Sequence, residues 1–209
     1  MKQYFDKAFS KIAVLGSGTM GGQIAVHFAN LGFEVVMFDV SEEVLAKSLA
    51  VLKKLKPTPL ASQSVIDLIK TSTYESMDIL SQCDFIIESV VENLDIKKQL
   101  FANIAPYVND NAVLVTNTSG LSIQKIAEHS PEHLRSRIFG VHFFNPPRYL
   151  PLVEIIRTSY SDEKLLNKAE GFITSALGKE VVYAKDNPAF IANRIGVFSL
   201  LAVLKHAEN

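Results

Sequence analysis

The sequence predicts an α/β protein built on a doubly wound, mostly parallel sheet. Three observations predict it. Short runs rich in Val, Ile and Phe recur at 12–15, 33–38, 85–87 and 112–115, and such continuous runs suit strands buried on both faces. Segments with apolar residues at helical spacing lie between them. The first run breaks into Gly16-Ser17-Gly18-Thr19-Met20-Gly21, a G-x-G-x-x-G set between a strand and a helix.

That turn and its flanks organise the chain. Ile24, Ala25, Phe28, Ala29 and Leu31 recur at helical spacing after it, and Gly32 is placed to end the helix in left-handed backbone. The second strand, 33–38, ends on Asp39. Gly16 permits the tight turn, Gly18 lets a pyrophosphate approach the backbone, and Gly21 lets helix and strand lie close. The helix start offers free N–H groups to phosphates. Asp39 stands where a carboxylate accepts from ribose hydroxyls, and it would repel a 2′-phosphate. The expectation is a Rossmann-type cradle for NAD rather than NADP. The alternative is a glycine-rich turn in an unrelated α/β fold.

Further along, Ser41 is a plausible N-cap for a helix from Glu43 to about Lys54, stopped at Pro57. Ser62–Ile69 is expected to add a short helix, so 41–70 forms a helical excursion. Thr71–Tyr74 and Phe85–Ile87 read as strands. A helix over Leu94–Ile104 puts Ile96, Leu100, Phe101 and Ile104 on one face. The strand Ala112–Val115 then delivers the polar loop Thr116-Asn117-Thr118-Ser119-Gly120 to a carboxyl edge, where ligands of such sheets bind.

A helix over Ser122–His129 and a strand over Arg137–Val141 follow, the strand delivering His142-Phe143-Phe144-Asn145-Pro146-Pro147. Leu152–Ile156 is a strand with one carboxylate, Glu154. Asp162–Leu177 is a helix closed by Gly178, and Glu180–Tyr183 the last strand. An apolar helix runs from Phe190 through Leu204, rich in Phe, Ile, Leu and Val on nearly all sides, so burial is expected for it. The expected domains are a leader at 1–10, a cofactor-binding domain at 11–186, and at 187–209 the start of a truncated helical domain.

Composition narrows the partners. A chain of 209 residues can bury a real core. A net charge of −1 argues against nucleic acid or an anionic membrane as main partner. No segment is long enough to span a membrane or serve as a signal peptide. The single cysteine, Cys83, forbids an internal disulfide and reads as a core residue. A cytoplasmic protein with no metal site is expected.

His142 and Glu154 lie twelve residues apart on successive strands. Adjacent strands would let the carboxylate hold the imidazole in one tautomer as a general base. The plainer alternatives are a core histidine and a carboxylate paired with Arg137 or Arg148. Lys53, Lys54 and Lys56 make a basic corner, either a solvated helix end or a landing site for substrate phosphates.

The segments GSGTMG, VVENLDIKKQLF, TNTSG, HFFNPPRYLPLVEII and DNPAFIANR resemble, in order and spacing, the L-3-hydroxyacyl-CoA dehydrogenases. The resemblance covers the chain from Lys11 onward. The TSG variant, NPPRYL and KPTPL look most like multifunctional fatty-acid β-oxidation proteins, in which an enoyl-CoA hydratase module follows. The resemblance implies NAD-dependent oxidation of 3-hydroxyacyl-CoA to 3-oxoacyl-CoA, by a homodimer formed through the domain that follows. It implies that Gly16, Ser17, Gly18, Thr19, Met20 and Gly21 bind the NAD pyrophosphate and Asp39 the adenosine ribose. Glu92 and Lys97 would contact the nicotinamide side, and Asn145 the nicotinamide ribose. Ser119 would bond the 3-oxygen near the nicotinamide. His142 would be the base, Glu154 its partner, and Asn193 a holder of substrate oxygen. Two departures are visible. Gly120 stands where relatives often carry a second serine, and the 41–70 excursion is shorter than in monofunctional relatives, so Lys53 and Lys54 are only candidate substrate contacts. A cofactor module inactive without its second domain, or a sister hydroxy-acid dehydrogenase, would share these motifs.

Overall fold

The computed structural model describes residues 8–207. Most of the expected leader at 1–10 lies outside the described residues. The architecture is a doubly wound sheet of eight described strands, arranged 3-2-1-4-5-6-7-8 when numbered along the chain.

The first half obeys the predicted alternation. β1 (Lys11–Leu15) leads through the glycine turn into α1 (Thr19–Asn30), and β2 (Glu34–Asp39) returns parallel to β1. α2 (Glu42–Leu52) starts at the Ser41 N-cap, whose hydroxyl accepts from the Val44 N–H. It stops two residues short of Lys54. The short helix expected over 62–69 is a 3₁₀ turn at Gln63–Leu68, and Ile69 already belongs to β3 (Ile69–Thr73). Ile69 is drawn into the sheet by its parallel pairing opposite Val35.

β4 (Phe85–Glu88) pairs with β1 on its other side, and α3 (Leu94–Ile104) is capped by Asn93. The expected apolar face of α3 needs one correction. Leu100, Phe101 and Ile104 are buried, but Ile96 is exposed and Lys97 turns inward instead. The cause is a carboxylate, Glu88, at the end of the adjacent strand. β5 (Val113–Thr116) leads into α4 (Ile123–His129) and the short α5 (Glu132–Arg135).

The second half departs from the parallel pattern. β6 (Ile138–Phe143) runs beyond the predicted end at Val141, so His142 lies inside a strand rather than after one. β7 (Leu152–Ile156) pairs with β6 antiparallel, and β8 (Glu180–Ala184) is parallel to β7 after α6 (Glu163–Ser175). The β6–β7 reversal sets His142 directly opposite Glu154.

The core fills both faces of the sheet. One side centres on Phe9, Phe28, Phe33, Phe85 and Phe172, whose rings lie 5.0–6.1 Å apart in mostly edge-on contacts. Cys83 belongs to the other side, buried, with burial pushing its thiol up to about 11. α7 (Ala192–Ala207) contrasts with all of this. None of its side chains is buried, and Phe198 is 76% exposed. No described helix is long and apolar enough to cross a membrane.

Candidate active site

The glycine turn is shaped by backbone packing. Gly16 holds φ +100°, and a Cβ there would meet Ser89 O at 2.6 Å. A Cβ on Gly21 would sit 1.9 Å from Gly16 O. Gly18 differs, because nothing lies within 4 Å of its Cβ position. It is also the residue before α1, with no side-chain cap and no acid in the first turn. An anion can therefore reach the first N–H groups of α1 unopposed.

Asp39 stands at the carboxyl end of β2. Its Oδ2 accepts from Ser17 N–H at 2.7 Å and from the Ser17 hydroxyl, and its Oδ1 from Val40 N–H at 2.8 Å. The carboxylate is thus fixed at the mouth of a cavity of about 500 Å³ lined by Gly16, Gly18, Tyr74, Val90, Ile96 and Leu100. A second cavity, of about 480 Å³, shares Gly18, Ser89 and Val90 with it and extends past Thr19 and Met20 to Ser119 and His142. The pair makes a trough with an apolar end, a glycine saddle and a polar end. Those are the three environments a dinucleotide presents: base, pyrophosphate and nicotinamide riboside.

The polar end is a hydrogen-bonded network drawn from four strands. Glu88, fully buried at the end of β4, accepts from the Thr116 hydroxyl, the Val90 N–H and the Lys97 ammonium. Lys97 also reaches Glu92 at 3.4 Å. Burial works against charge on Glu92, but bonds from the Thr118 hydroxyl and Ser119 N–H, together with Lys97, outweigh it and hold its carboxyl below the usual carboxylate range. The Ser119 hydroxyl donates to the same Glu92 oxygen at 3.2 Å. Asn145 accepts from Gln23, and Asn117 fixes the Phe143 N–H at 2.8 Å.

His142 is buried at the floor of this end. Its Nδ1 lies 2.8 Å from Glu154 Oε2, within a pair whose side chains are 7% and 0% exposed. Glu154 has no arginine partner. Arg137 bonds Asn109 O, and Arg148 bonds Thr58 O and Leu60 O, so both alternative pairings are excluded. With Nδ1 engaged, Nε2 is the nitrogen available to the cavity that His142 lines. Asn193, at the start of α7, donates to Ser119 O at 3.2 Å and borders the same cavity.

Ser119, Glu92, Asn145, Asn193 and His142 are thus brought together, with Gly18, Thr19 and Met20 alongside. Lys97 is not among them. It is 1% exposed and acts through Glu88 and Glu92 rather than on a ligand. Lys53 and Lys54 project from the end of α2 into solvent and line none of these cavities; Lys47, about two turns earlier, borders a small cavity of about 310 Å³ beside Ser17 and Asp39. Gln23 and Glu88 escaped the sequence reading, and Asn117 was read only as part of the polar loop at 116–120, without a role of its own. Only Glu88 left a signal, a carboxylate closing an otherwise apolar strand.

Fold and trough define a dinucleotide-binding domain with a histidine–carboxylate pair at the trough's polar end. Residues 11–187 match the family model described as 3-hydroxyacyl-CoA dehydrogenase, NAD binding domain, and the chain belongs to that family. A Bacillus subtilis protein provisionally named 3-hydroxyacyl-CoA dehydrogenase is 40% identical over 95% of this chain. A Rickettsia felis protein with the provisional name fatty acid oxidation complex trifunctional enzyme is 37% identical over 94%. The chain spans only 28% of the length of each of these relatives. The crystal structure of Mycobacterium tuberculosis FadB2 superposes with a TM-score of 0.85 at 32% identity, covering 96% of this chain and 72% of that one. NAD is the cofactor of the family, and the open Gly18 saddle and the fixed Asp39 fit it.

Proposed function

We propose that this chain is the cofactor-binding part of an enzyme that oxidises L-3-hydroxyacyl-CoA to 3-oxoacyl-CoA. The observation that carries the reading is the buried His142–Glu154 pair at 2.8 Å, facing the trough. His142 Nε2 takes the proton of the substrate hydroxyl as the C3 hydride departs. Glu154 keeps Nδ1 as the donor side and stabilises the imidazolium that forms. NAD supplies the hydride acceptor. Ser119 and Asn193 orient the substrate oxygen toward Nε2. Glu92, held ionised by its donors, keeps Ser119 in place, and Asn145 orders the ribose side. Gly16 to Gly21 seat the pyrophosphate and Asp39 the adenosine ribose.

The apolar, uncovered α7 supports a second domain beginning near residue 187, which closes over the acyl group and carries a dimer contact. The length of the relatives supports the same division. The name of the Rickettsia protein supports a place in fatty-acid β-oxidation within a multifunctional chain. The buried free thiol of Cys83 suits a cytoplasmic location.

NADH formation with 3-hydroxybutyryl-CoA tests the activity, on this chain and on a longer form that carries the second domain. Normal turnover in His142→Ala would remove the assigned base. A second reading, a cofactor module with no activity of its own, is favoured by the lack of any buried side chain on α7. Calorimetry with NAD beside the activity assay separates them: binding without turnover supports the module, robust turnover by 1–209 refutes it.

A further inference from the structure

The segment joining β8 to α7 holds two non-glycine residues in left-handed backbone, Ala189 at φ 63° and Phe190 at φ 47°. Such a conformation costs on the order of 1 kcal/mol or more per residue and persists only where surrounding contacts over-determine it. Here they do. The N–H groups of Ile191 and Ala192 donate to Glu154 Oε1 at 3.0 and 2.9 Å. Phe190 is buried with Ile123, Ile156 and Ala184, and its ring lies 5.8 Å from that of His142. At the other end of the junction, the Asp186 carboxylate receives the Ser122 hydroxyl and the N–H groups of Ile123 and Gln124 at the start of α4. The junction is therefore tied down at both ends.

The donors to Glu154 are the residue just before α7 and the first residue of α7, positions whose N–H groups have no partner within a helix. One carboxylate oxygen faces them and the other faces His142. A carboxylate bonded only to an imidazole is free to turn about its terminal torsions. One bonded on both oxygens is not.

We propose that residues 189–192 are a positioning element for His142. The Ile191 and Ala192 N–H groups hold one oxygen of Glu154 so that the other meets Nδ1, and Phe190 walls the ring. The docking of this junction against β7 then sets the orientation of the imidazole. The consequence for turnover rests on the dehydrogenase reading above; the consequence for the ring does not.

Ala192→Pro deletes one donor at a helix position that tolerates proline. Ala192→Gly keeps the N–H and is its matched control. Phe190→Leu keeps an apolar side chain and removes the ring. The readout is the ¹⁵N spectrum of the histidine ring nitrogens in the full chain. The unaltered chain and Ala192→Gly are expected to show His142 as a single tautomer protonated on Nδ1. Ala192→Pro and Phe190→Leu are expected to show two tautomers in exchange. With 3-oxobutyryl-CoA and NADH, both should lower kcat roughly tenfold and leave KM for NADH within about twofold. A single Nδ1 tautomer persisting in both folded variants overturns the proposal. Should Ala192→Pro fail to fold, Phe190→Leu decides alone. Should the unaltered chain show no turnover, the kinetic comparison passes to the longer form that carries the second domain, where absence of turnover is what refutes the dehydrogenase reading, and the ring spectra of the chain itself still decide the positioning role.

Discussion

The two ends of the trough are built by different means. The cofactor saddle is backbone: a turn whose shape follows from where a Cβ will not fit, at Gly16 and Gly21, and where open space is left, at Gly18. The chemical end is side chains: Glu88, Lys97, Glu92, Thr118 and Ser119 in one run of bonds, His142 and Glu154 in another. A backbone site depends on residues a few positions apart. A network site depends on strands being in register, so errors far away reach it. The difference predicts that single substitutions should fail abruptly at the saddle and by degrees at the network.

The largest effect tests the saddle itself. Gly21→Ala puts a methyl 1.9 Å from Gly16 O, and backbone must move. A loss of roughly 4 kcal/mol in stability is expected, with NAD affinity lost alongside, read by thermal melting and calorimetry. Gly18→Ala has no such neighbour. It should melt like the unaltered chain and still bind NAD at least about tenfold more weakly, because the methyl occupies the approach to the helix start. Equal melting losses in the two variants would break the distinction between packing glycine and ligand glycine.

Next comes the network. Lys97→Met removes the cation from two carboxylates, of which Glu88 is fully buried. Removing one partner of a buried pair costs about 3–5 kcal/mol, so stability should fall by roughly 3 kcal/mol in chemical denaturation. The partner change Glu88→Gln in the Lys97→Met background should recover part of it. Failure of the double variant to recover would mean the pair is not coupled as the geometry implies.

Acidification separates the body of the fold from the chemical end. His27, in the last turn of α1, is held down to about 4 by burial first and then by Lys179 and Arg148. The unfolded imidazole, near 6.5, binds a proton that the folded one refuses. Stability from neutral His27 is therefore present above about 6.5 and lost as pH falls toward 4, by roughly 3 kcal/mol. Glu92 at the chemical end is also depressed, so its contribution is present above the usual carboxylate range and lost only at lower pH. His27→Leu should flatten the stability curve between pH 6.5 and 4 and leave the more acid limb unchanged. An unaltered slope in that window would show that another group governs it.

The same contrast explains what could be read in advance. The saddle was legible because strand, glycines, helix and Asp39 follow one another within one short stretch, where local geometry decides everything. β1, β2, β4 and β5 were legible for the same reason: each is an apolar run between turn signals, whereas the mostly polar β3 was placed two residues late. His142 and Glu154 were candidates from their residue types, but their meeting depends on an antiparallel β6–β7 register, and sequence periodicity is blind to register between strands. Residues 88–93 and 116–120 carried the right chemistry without revealing their mutual bonds, which join residues 26 to 28 positions apart. Ile96 was misjudged because helical spacing assigns a face by hydropathy, whereas Lys97 takes the inward position opposite Glu88 and Ile96 borders the apolar end of the trough. The onset of α7 was misplaced by two residues because the left-handed pair at 189 and 190 has neither glycine nor asparagine to announce it.

The smallest expected effect probes the place where the two kinds of construction touch. Gly120 ends the polar loop behind Ser119, and a Cβ there would lie 3.4 Å from Ala189 N, an ordinary contact. Its φ is not positive, so a side chain meets no backbone strain. Gly120→Ser should therefore change stability by no more than about 0.5 kcal/mol. What it can change is order: a contact from the loop to the α7 junction would restrict the carbonyl of Ser119, to which Asn193 donates. Amide exchange at residues 118–120 should slow by a few-fold in the serine variant while the saddle, Gly16 to Gly21, exchanges as before. A change in exchange at the saddle would mean that the two ends are one cooperative unit, and that the division between backbone-built and network-built halves is a matter of description rather than of energetics.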